Sequence, residues 1–177
     1  EKEHGVCDMT LEQKALAFAT AAHHAVGQTR KYSGEPYIVH PIEVAEIVKT
    51  VPHTEEMVAA ALLHDVVEDT QIPLEVIREQ FGDTVALYVE LLTDTPKVED
   101  GPNRKARKAL DRARLAEAPA EVQTIKFADF ISNTGSIVER DPKFAPVYLA
   151  EKRDFLNSMN KGDRELYKKA SAIAFGK

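Results

Sequence analysis

An all-α fold is what this sequence predicts, and three features of it say so. Apolar residues recur at intervals of three and four nearly from end to end, the spacing of helices that each bury one face. Strand-like alternation is absent, and Gly and Pro stand where helices would stop and start. At 177 residues the chain is long enough to bury a real core, and one domain is the default count. No internal repeat, low-complexity tract or second-domain linker divides it. Residues 1–9, which open on Glu rather than Met, read as an N-terminal tail, and 10–177 read as a single helical bundle.

Thr10 with Gln13 has the pattern of a capping box, and the helix it starts runs to about Val26 with Leu11, Ala15, Phe18 and Ala22 on one face. A loop from Gly27 to Val39 follows and contains Ser33-Gly34-Glu35-Pro36. Pro41 suits the first turn of a second helix ending near Val51, because its missing N–H would lack a partner there anyway, and His40 then sits at the helix mouth. A third helix starts at Thr54, passes through Met57, Ala60, Ala61 and His64, and frays near Glu68 to Thr70, ahead of Ile72-Pro73. Further helices are predicted over 73–81, 83–93, 103–117, 119–138, 142–160 and 163–175, punctuated by Gly82, Gly101-Pro102, Pro119, Pro142 and Gly162.

A formal net charge of −6 disfavours a nucleic-acid binder, whose affinity rests on Lys and Arg contacts to phosphate. No apolar run approaches the roughly 20 residues of a membrane span, and the opening Glu-Lys-Glu-His lacks the apolar stretch of a secretory leader. A soluble, cytoplasmic protein without membrane or nucleic-acid partners is expected. The single cysteine, Cys7, rules out an internal disulfide and agrees with a reducing compartment. Basic residues nevertheless cluster: Arg30 and Lys31 in the first loop, then Arg104, Lys105, Arg107, Lys108, Arg112 and Arg114. Such clusters on an acidic protein suit a small phosphorylated ligand in a focused positive site. Arg107 and Asp111, four apart, read as an ordinary surface ion pair. Arg104, at a helix start beside Asn103, is the member of the run expected to meet phosphate. Phosphate-cradling glycine loops and the Gly-x-Ser-x-Gly elbow are both absent.

The residues suited to chemistry are His40, His64, Asp65 and Asp129. Two imidazoles and two carboxylates form a mixed nitrogen and oxygen set that suits Mn²⁺, Fe²⁺ or Zn²⁺ and can activate water. His64-Asp65 ends a small apolar run, Val58 to Leu63, where two polar groups are costly unless they find partners or a metal. On one continuous helix His64 and Glu68 share a face, Asp65 projects about 100° away, and Asp69 shares the face of Asp65. Glu68 and Asp69 then lie close enough to orient or deprotonate water; otherwise they are solvated charges at a helix end. The competing account of His64-Asp65 is a hydrogen-bonded core imidazole beside an exposed carboxylate. Asp129 follows the apolar segment Thr124 to Ala128 and shares its helix face with Asn133 and Ser136, which makes either a wall for a polar ligand or a solvated stripe. His40 could equally be an exposed loop imidazole. His4, His23, His24 and His53 have no matching context and read as structural or surface residues.

Taken together, Arg30-Lys31 with Gly34-Glu35-Pro36-Tyr37-Ile38, His40-Pro41-Ile42-Glu43-Val44-Ala45, Ala60-Ala61-Leu62-Leu63-His64-Asp65-Val66-Val67-Glu68-Asp69-Thr70, Phe81-Gly82 and Ile125-Lys126-Phe127-Ala128-Asp129 resemble the hydrolase domain of RelA/SpoT-type enzymes, a branch of the HD-domain superfamily. The likeness runs over roughly residues 11 to 160, and because synthetase and regulatory regions are missing it looks like a stand-alone small alarmone hydrolase. The resemblance implies an all-α, Mn²⁺-dependent pyrophosphohydrolase that removes the 3′-diphosphate of nucleotides such as ppGpp and pppGpp. It implies His40, His64, Asp65 and Asp129 as metal ligands and Glu68-Asp69 as the pair handling the attacking water. Arg30 and Lys31 would lie against the base, with Ser33, Asn133 and Ser136 lining the nucleotide site.

Two departures bear on substrate choice. The family's Leu-Ala-Asp-Arg-Leu-His-Asn segment is here Phe127-Ala128-Asp129-Phe130-Ile131-Ser132-Asn133, without the Arg and the His, and Tyr32 is an additional residue between Arg30-Lys31 and His40. The adenine alarmones ppApp and pppApp therefore stay open as substrates beside the guanine ones. A different HD-type nucleotide phosphohydrolase, or a nucleotide-binding sensor without turnover, are the alternatives. Oligomeric state is not encoded in any feature of the chain.

Overall fold

The computed structural model describes residues 8–176; His4, Cys7 and the rest of the first seven residues of the expected tail lie outside them. Ten helices are formed among the described residues: α1 (Leu11–Ala25), α2 (Val39–Val48), α3 (Glu55–Leu63), α4 (Val66–Asp69), α5 (Leu74–Phe81), α6 (Asp83–Leu92), α7 (Arg104–Glu117), α8 (Ala120–Arg140), α9 (Ala145–Ser158) and α10 (Arg164–Phe175). No strand is formed among these residues, and an isolated antiparallel bridge joins Thr29 to Pro36 across the first loop.

Local chemistry explains most boundaries. The Thr10–Gln13 capping box is present, with Gln13 N–H donating to Thr10 Oγ1 at 3.1 Å and Thr10 N–H to Gln13 Oε1 at 3.0 Å. Asn103 and Asp163 cap α7 and α10 in the same way, accepting from the N–H groups of Ala106 and Leu166. Gly82 ends α5 and starts α6 at φ 91°, a backbone conformation only glycine adopts without strain. Helix α2 begins at Val39, so Pro41 lies within its first turn as predicted and His40 on the turn itself, and it ends at Val48, short of the predicted Val51.

Helix α3 is apolar on every side, with Met57 through Leu63 all buried, and it packs against α1, α2, α6 and α8 at the centre of the bundle. Its end corrects the sequence reading. Instead of continuing to Glu68 it stops at Leu63, His64 and Asp65 make a turn, and the four-residue α4 follows. The imidazole of His64 donates through Nδ1 to the Ala61 carbonyl at 2.6 Å, competing for the acceptor that the Asp65 N–H would use in an unbroken helix. A side chain inserted there turns the chain, and His64 and Asp65 converge rather than diverge.

The 21-residue α8 packs against α2, α3, α6 and α10 and carries ten consecutive or near-consecutive buried residues, including the polar Gln123, Thr124, Lys126, Asp129 and Thr134. Gln123 accepts from the N–H groups of Lys161 and Gly162, and a Cβ at Gly162 would sit 2.5 Å from the Phe127 ring. The loop before α10 thus clamps the first half of α8 and fixes where its polar residues point.

Candidate metal centre and adjoining pocket

Three elements deliver the central cluster: the first turn of α2, the break after α3 and the middle of α8. His40 Nε2 lies 2.8 Å from Asp129 Oδ1 and 3.9 Å from Asp65 Oδ2, while His64 Nε2 lies 3.0 Å from Asp65 Oδ2 and 3.3 Å from Asp129 Oδ1. One ligand atom each from His40, His64 and Asp65 falls within 4.8 Å of the others, and Asp129 reaches both imidazoles from α8. Both histidines and Asp129 are buried, so the loop-imidazole account of His40 and the solvated-stripe account of Asp129 fail.

The tautomers are set from behind. His64 Nδ1 gives its proton to Ala61, which leaves Nε2 bare, buried and without a hydrogen-bond partner although two carboxylates face it. His40 Nδ1 meets Ser132 Oγ at 3.0 Å, that hydroxyl donates onward to Glu43 Oε2 at 2.8 Å, and His40 Nε2 is hydrogen-bonded to Asp129 Oδ1 at 2.8 Å. Imidazole nitrogens turned toward carboxylates ask for a cation between them. A proton supplies one: burial alone would depress the His64 imidazole, but Asp65 and Asp129 hold it well above its ordinary value. A divalent ion fits the same donor set, two imidazoles and two carboxylates, and displaces that proton.

The carboxylates are oriented in turn. The Tyr37 hydroxyl donates to Asp65 Oδ2 at 2.5 Å, Asn133 Nδ2 to Asp129 Oδ1 at 3.2 Å and Lys126 Nζ to Asp129 Oδ2 at 3.3 Å. Burial would raise Asp129, yet Lys126 and the imidazoles hold it well below the usual carboxylate range. Lys126 is itself 3.9 Å from Asp94, whose N–H donates to Glu68 Oε2 at 3.4 Å. Glu68 and Asp69 end α4 beside the cluster. Burial, then Asp94 and Asp65, push the Glu68 carboxyl up to about 7, and burial with Asp65 raises Asp69 too. A carboxyl near neutrality at the mouth of a polar site is suited to accept or return a proton.

Beside the cluster lies a cavity of about 130 Å³ lined by Arg30, Lys31, Tyr32, Ser33, Tyr37, His40, Asn133, Ser136 and Ile137. The structure therefore brings five of the six predicted ligand-contact residues to one place. Arg104 is elsewhere: its guanidinium makes two hydrogen bonds to Glu151, at 2.7 and 2.9 Å, and it lines a separate groove of about 560 Å³ with Lys105, Lys108 and Arg112. The expected Arg107–Asp111 pair does not form. Asp111 is buried, accepts from Thr95 and pairs with Arg114 at 2.9 Å, while Arg107 donates to the Pro102 carbonyl. Tyr32 ties the loop to the end of α8, donating to Asp141 at 2.8 Å and accepting at its carbonyl from Arg140. Phe130 is buried and stacks on Tyr148 at 6.0 Å, so no cation stands where the resemblance has an Arg.

Sequence reasoning gives no site role to Gln28, Tyr37 or Lys126, which touch the ligands or the acidic pair, nor to Glu43, which reaches His40 through Ser132, the residue it noted only as a departure. Lys126 carried a signal, a lone charge inside an apolar run before Asp129. Gln28 carried none, since its partners lie 5 and 41 positions away.

The model of the HD domain family matches residues 15–172. A GTP pyrophosphokinase of Streptomyces coelicolor is 38% identical over 124 residues, which are 70% of this chain and 14% of that protein. A guanosine-3′,5′-bis(diphosphate) 3′-pyrophosphohydrolase of Aquifex aeolicus is 36% identical over 128 residues, 71% of this chain and 17% of that protein. The chain thus spans under a fifth of the length of these curated relatives. Among solved structures, a metazoan ortholog of SpoT, described as hydrolysing ppGpp and acting in starvation responses, is 25% identical with a TM-score of 0.82 and 97% of each chain covered. A protein of Listeria monocytogenes is 27% identical with a TM-score of 0.67, covering 81% of this chain and 96% of its own.

Proposed function

Because the chain belongs to the HD domain family, we propose that it is a Mn²⁺-dependent 3′-pyrophosphohydrolase of nucleotide alarmones. The observation that carries this reading is the pair of buried imidazole Nε2 atoms facing Asp65 and Asp129, that of His64 without a hydrogen-bond partner, next to a cavity lined by two cations and three small polar groups. The metazoan neighbour described as hydrolysing ppGpp matches at full length and supports the same activity.

In this reading His40, His64, Asp65 and Asp129 hold the ion, which when bound supplies Lewis-acid stabilisation of phosphoryl charge and lowers the pKa of water. Tyr37, Ser132, Asn133 and Lys126 keep the four ligands aimed. Arg30 and Lys31, with Ser33, Asn133 and Ser136, hold the nucleotide, whose 3′-diphosphate points at the cluster. Water attacks the phosphorus next to the 3′-oxygen, and the bond between them breaks. Glu68 and Asp69 take up the water's proton and return one to the departing 3′-oxygen, which leaves as a hydroxyl, giving pyrophosphate and a 5′-phosphorylated nucleoside. Arg104, ion-paired outside the cavity, serves at most the distal phosphates.

The test is product analysis after incubation with ppGpp, pppGpp, ppApp and pppApp, each with Mn²⁺ and with EDTA. Metal-dependent pyrophosphate from any of the four is expected, and the faster pair gives the base preference. Release of orthophosphate or triphosphate would point to another phosphohydrolase, and no turnover of any of them would leave a binding protein.

A further inference from the structure

A line of side chains also reaches the site from α1 and the loop that follows it. Gln28 Nε2 donates to Asp69 Oδ2 at 3.1 Å, and among the described residues this is the one hydrogen bond to that carboxylate. The far end of the same amide, Oε1, lies 2.8 Å from His23 Nδ1. An amide whose N–H goes to a carboxylate has only its oxygen left to offer, so His23 Nδ1 carries the proton and Nε2 is bare. His23 is 1% exposed, its Nε2 has no partner, and its ring packs 4.8 Å from that of Tyr37, whose hydroxyl holds Asp65. The imidazole that sequence reading left among the structural residues is therefore fixed in place and in tautomer, with Gln28 as its one outlet toward the site.

Asp69 needs such an anchor. It is the last residue of a four-residue helix and an exposed one, and a carboxylate at a helix C-terminus is disfavoured by the dipole. Nothing in its own segment fixes which oxygen turns to the reacting water. We propose that Gln28, held by His23, is a positioning residue for Asp69: it occupies Oδ2 and leaves Oδ1 for the water proton. This rests on the reading of Glu68 and Asp69 as the water-handling pair. The side chain is separable from the loop it sits in, because the backbone of Gln28 makes its own bonds, N–H to the His23 carbonyl at 3.1 Å and carbonyl from the Tyr37 N–H at 3.2 Å. A near-isosteric Gln28→Met substitution removes the amide and keeps those.

The experiment is a kinetic double-mutant cycle in the Mn²⁺-loaded protein with the best of the four alarmones, using Gln28→Met, Asp69→Asn and both together, with Mn²⁺ affinity measured on each by calorimetry. Removing the proton acceptor in Asp69→Asn is expected to lower kcat by roughly 10² to 10⁴. Gln28→Met is expected to lower kcat by about 10- to 100-fold, with KM and Mn²⁺ affinity within about twofold. Added to Asp69→Asn it should cost less than about twofold, since the residue it positions is already disabled. His23→Phe, which keeps a ring and removes the Nδ1 donor, should lower kcat in the same direction by less. Parental kcat in Gln28→Met, or the same loss in both backgrounds, overturns the positioning role while leaving the acidic pair intact. A parental kcat in Asp69→Asn instead overturns the acidic-pair reading, and the positioning role with it.

Discussion

Helices α7 and α8 pack against each other and both carry charge, but they use it differently. Cations of α7 pair with acids of neighbouring segments, most of them at or near the surface: Arg104 with Glu151, Lys108 and Arg114 with the half-buried Asp94, Arg112 at 4.0 Å from Asp154, and Arg114 also with Asp111 of its own helix. Helix α8 has few charges, yet Lys126 and Asp129 are buried and converge on two imidazoles. Exposed ion pairs contribute about 0–1 kcal/mol each, whereas each buried ion costs several kcal/mol to desolvate. A dense run of cations therefore says little about function, and a single carboxylate kept inside the core says much.

The largest expected effect sharpens that contrast. Asp129→Ala or His64→Ala should abolish high-affinity Mn²⁺ binding and lower pyrophosphate release by at least about 100-fold, while Arg104→Ala should leave kcat within about threefold of the parent and change only KM. Calorimetric Mn²⁺ titration and steady-state kinetics on the three variants decide it. A collapse of kcat in Arg104→Ala would show that α7 belongs to the reacting centre and would break the comparison.

A smaller effect probes the shell behind the ligands. Ser132→Ala removes the hydroxyl hydrogen-bonded to His40 Nδ1 and cuts the chain that runs from Arg30 through Glu43 at 3.2 and 2.8 Å to the α2 imidazole. Loss of such an outer partner typically lowers metal affinity 10- to 100-fold, and Ser132→Ala should fall in that range. Unchanged Mn²⁺ affinity would mean that the serine is a bystander and that its hydroxyl does not replace the family's histidine.

How far the site could be read in advance follows from the same contrast. The helices were legible because apolar period and caps are local, and Thr10, Pro41, Gly82 and Asn103 act where they stand. His64-Asp65 and Asp129 stand out in the sequence as polar groups ending apolar runs, whereas His40 alone reads as well as a loop imidazole and joins them only through the family resemblance. The turn at His64-Asp65 was not, since it depends on an imidazole capturing a carbonyl three residues back, which no period signals. Nor was the basic run's fate: Arg104, Lys108 and Arg114 find acids from segments 14 to 47 positions away, and Asp111 is drawn inward by Thr95. Gln28 and Glu43 matter only through distant partners, so their roles appear once the chain is folded.

The smallest effect lies where the two helices' charges meet. Asp94 is 3.7 Å from Lys108 of α7 and 3.9 Å from Lys126 of α8, and its N–H donates to Glu68. Burial, Asp94 and Asp65 raise the Glu68 carboxyl from an ordinary 4.5 to about 7. The folded, metal-free protein therefore holds that proton more tightly than the unfolded chain does. Its stabilising contribution is complete below pH 4.5 and is lost as pH rises through 7. Glu68→Gln does not titrate, so in EDTA the melting temperature of the parent should fall relative to the variant between pH 5 and pH 8. The shift should be about 1–2 °C, because solvent reaches the side chain and screens its neighbours. A gap between the two melting curves that stays constant over that range would mean that Glu68 ionises as an ordinary surface carboxylate, and that the charge on α8 is confined to the ligand cluster.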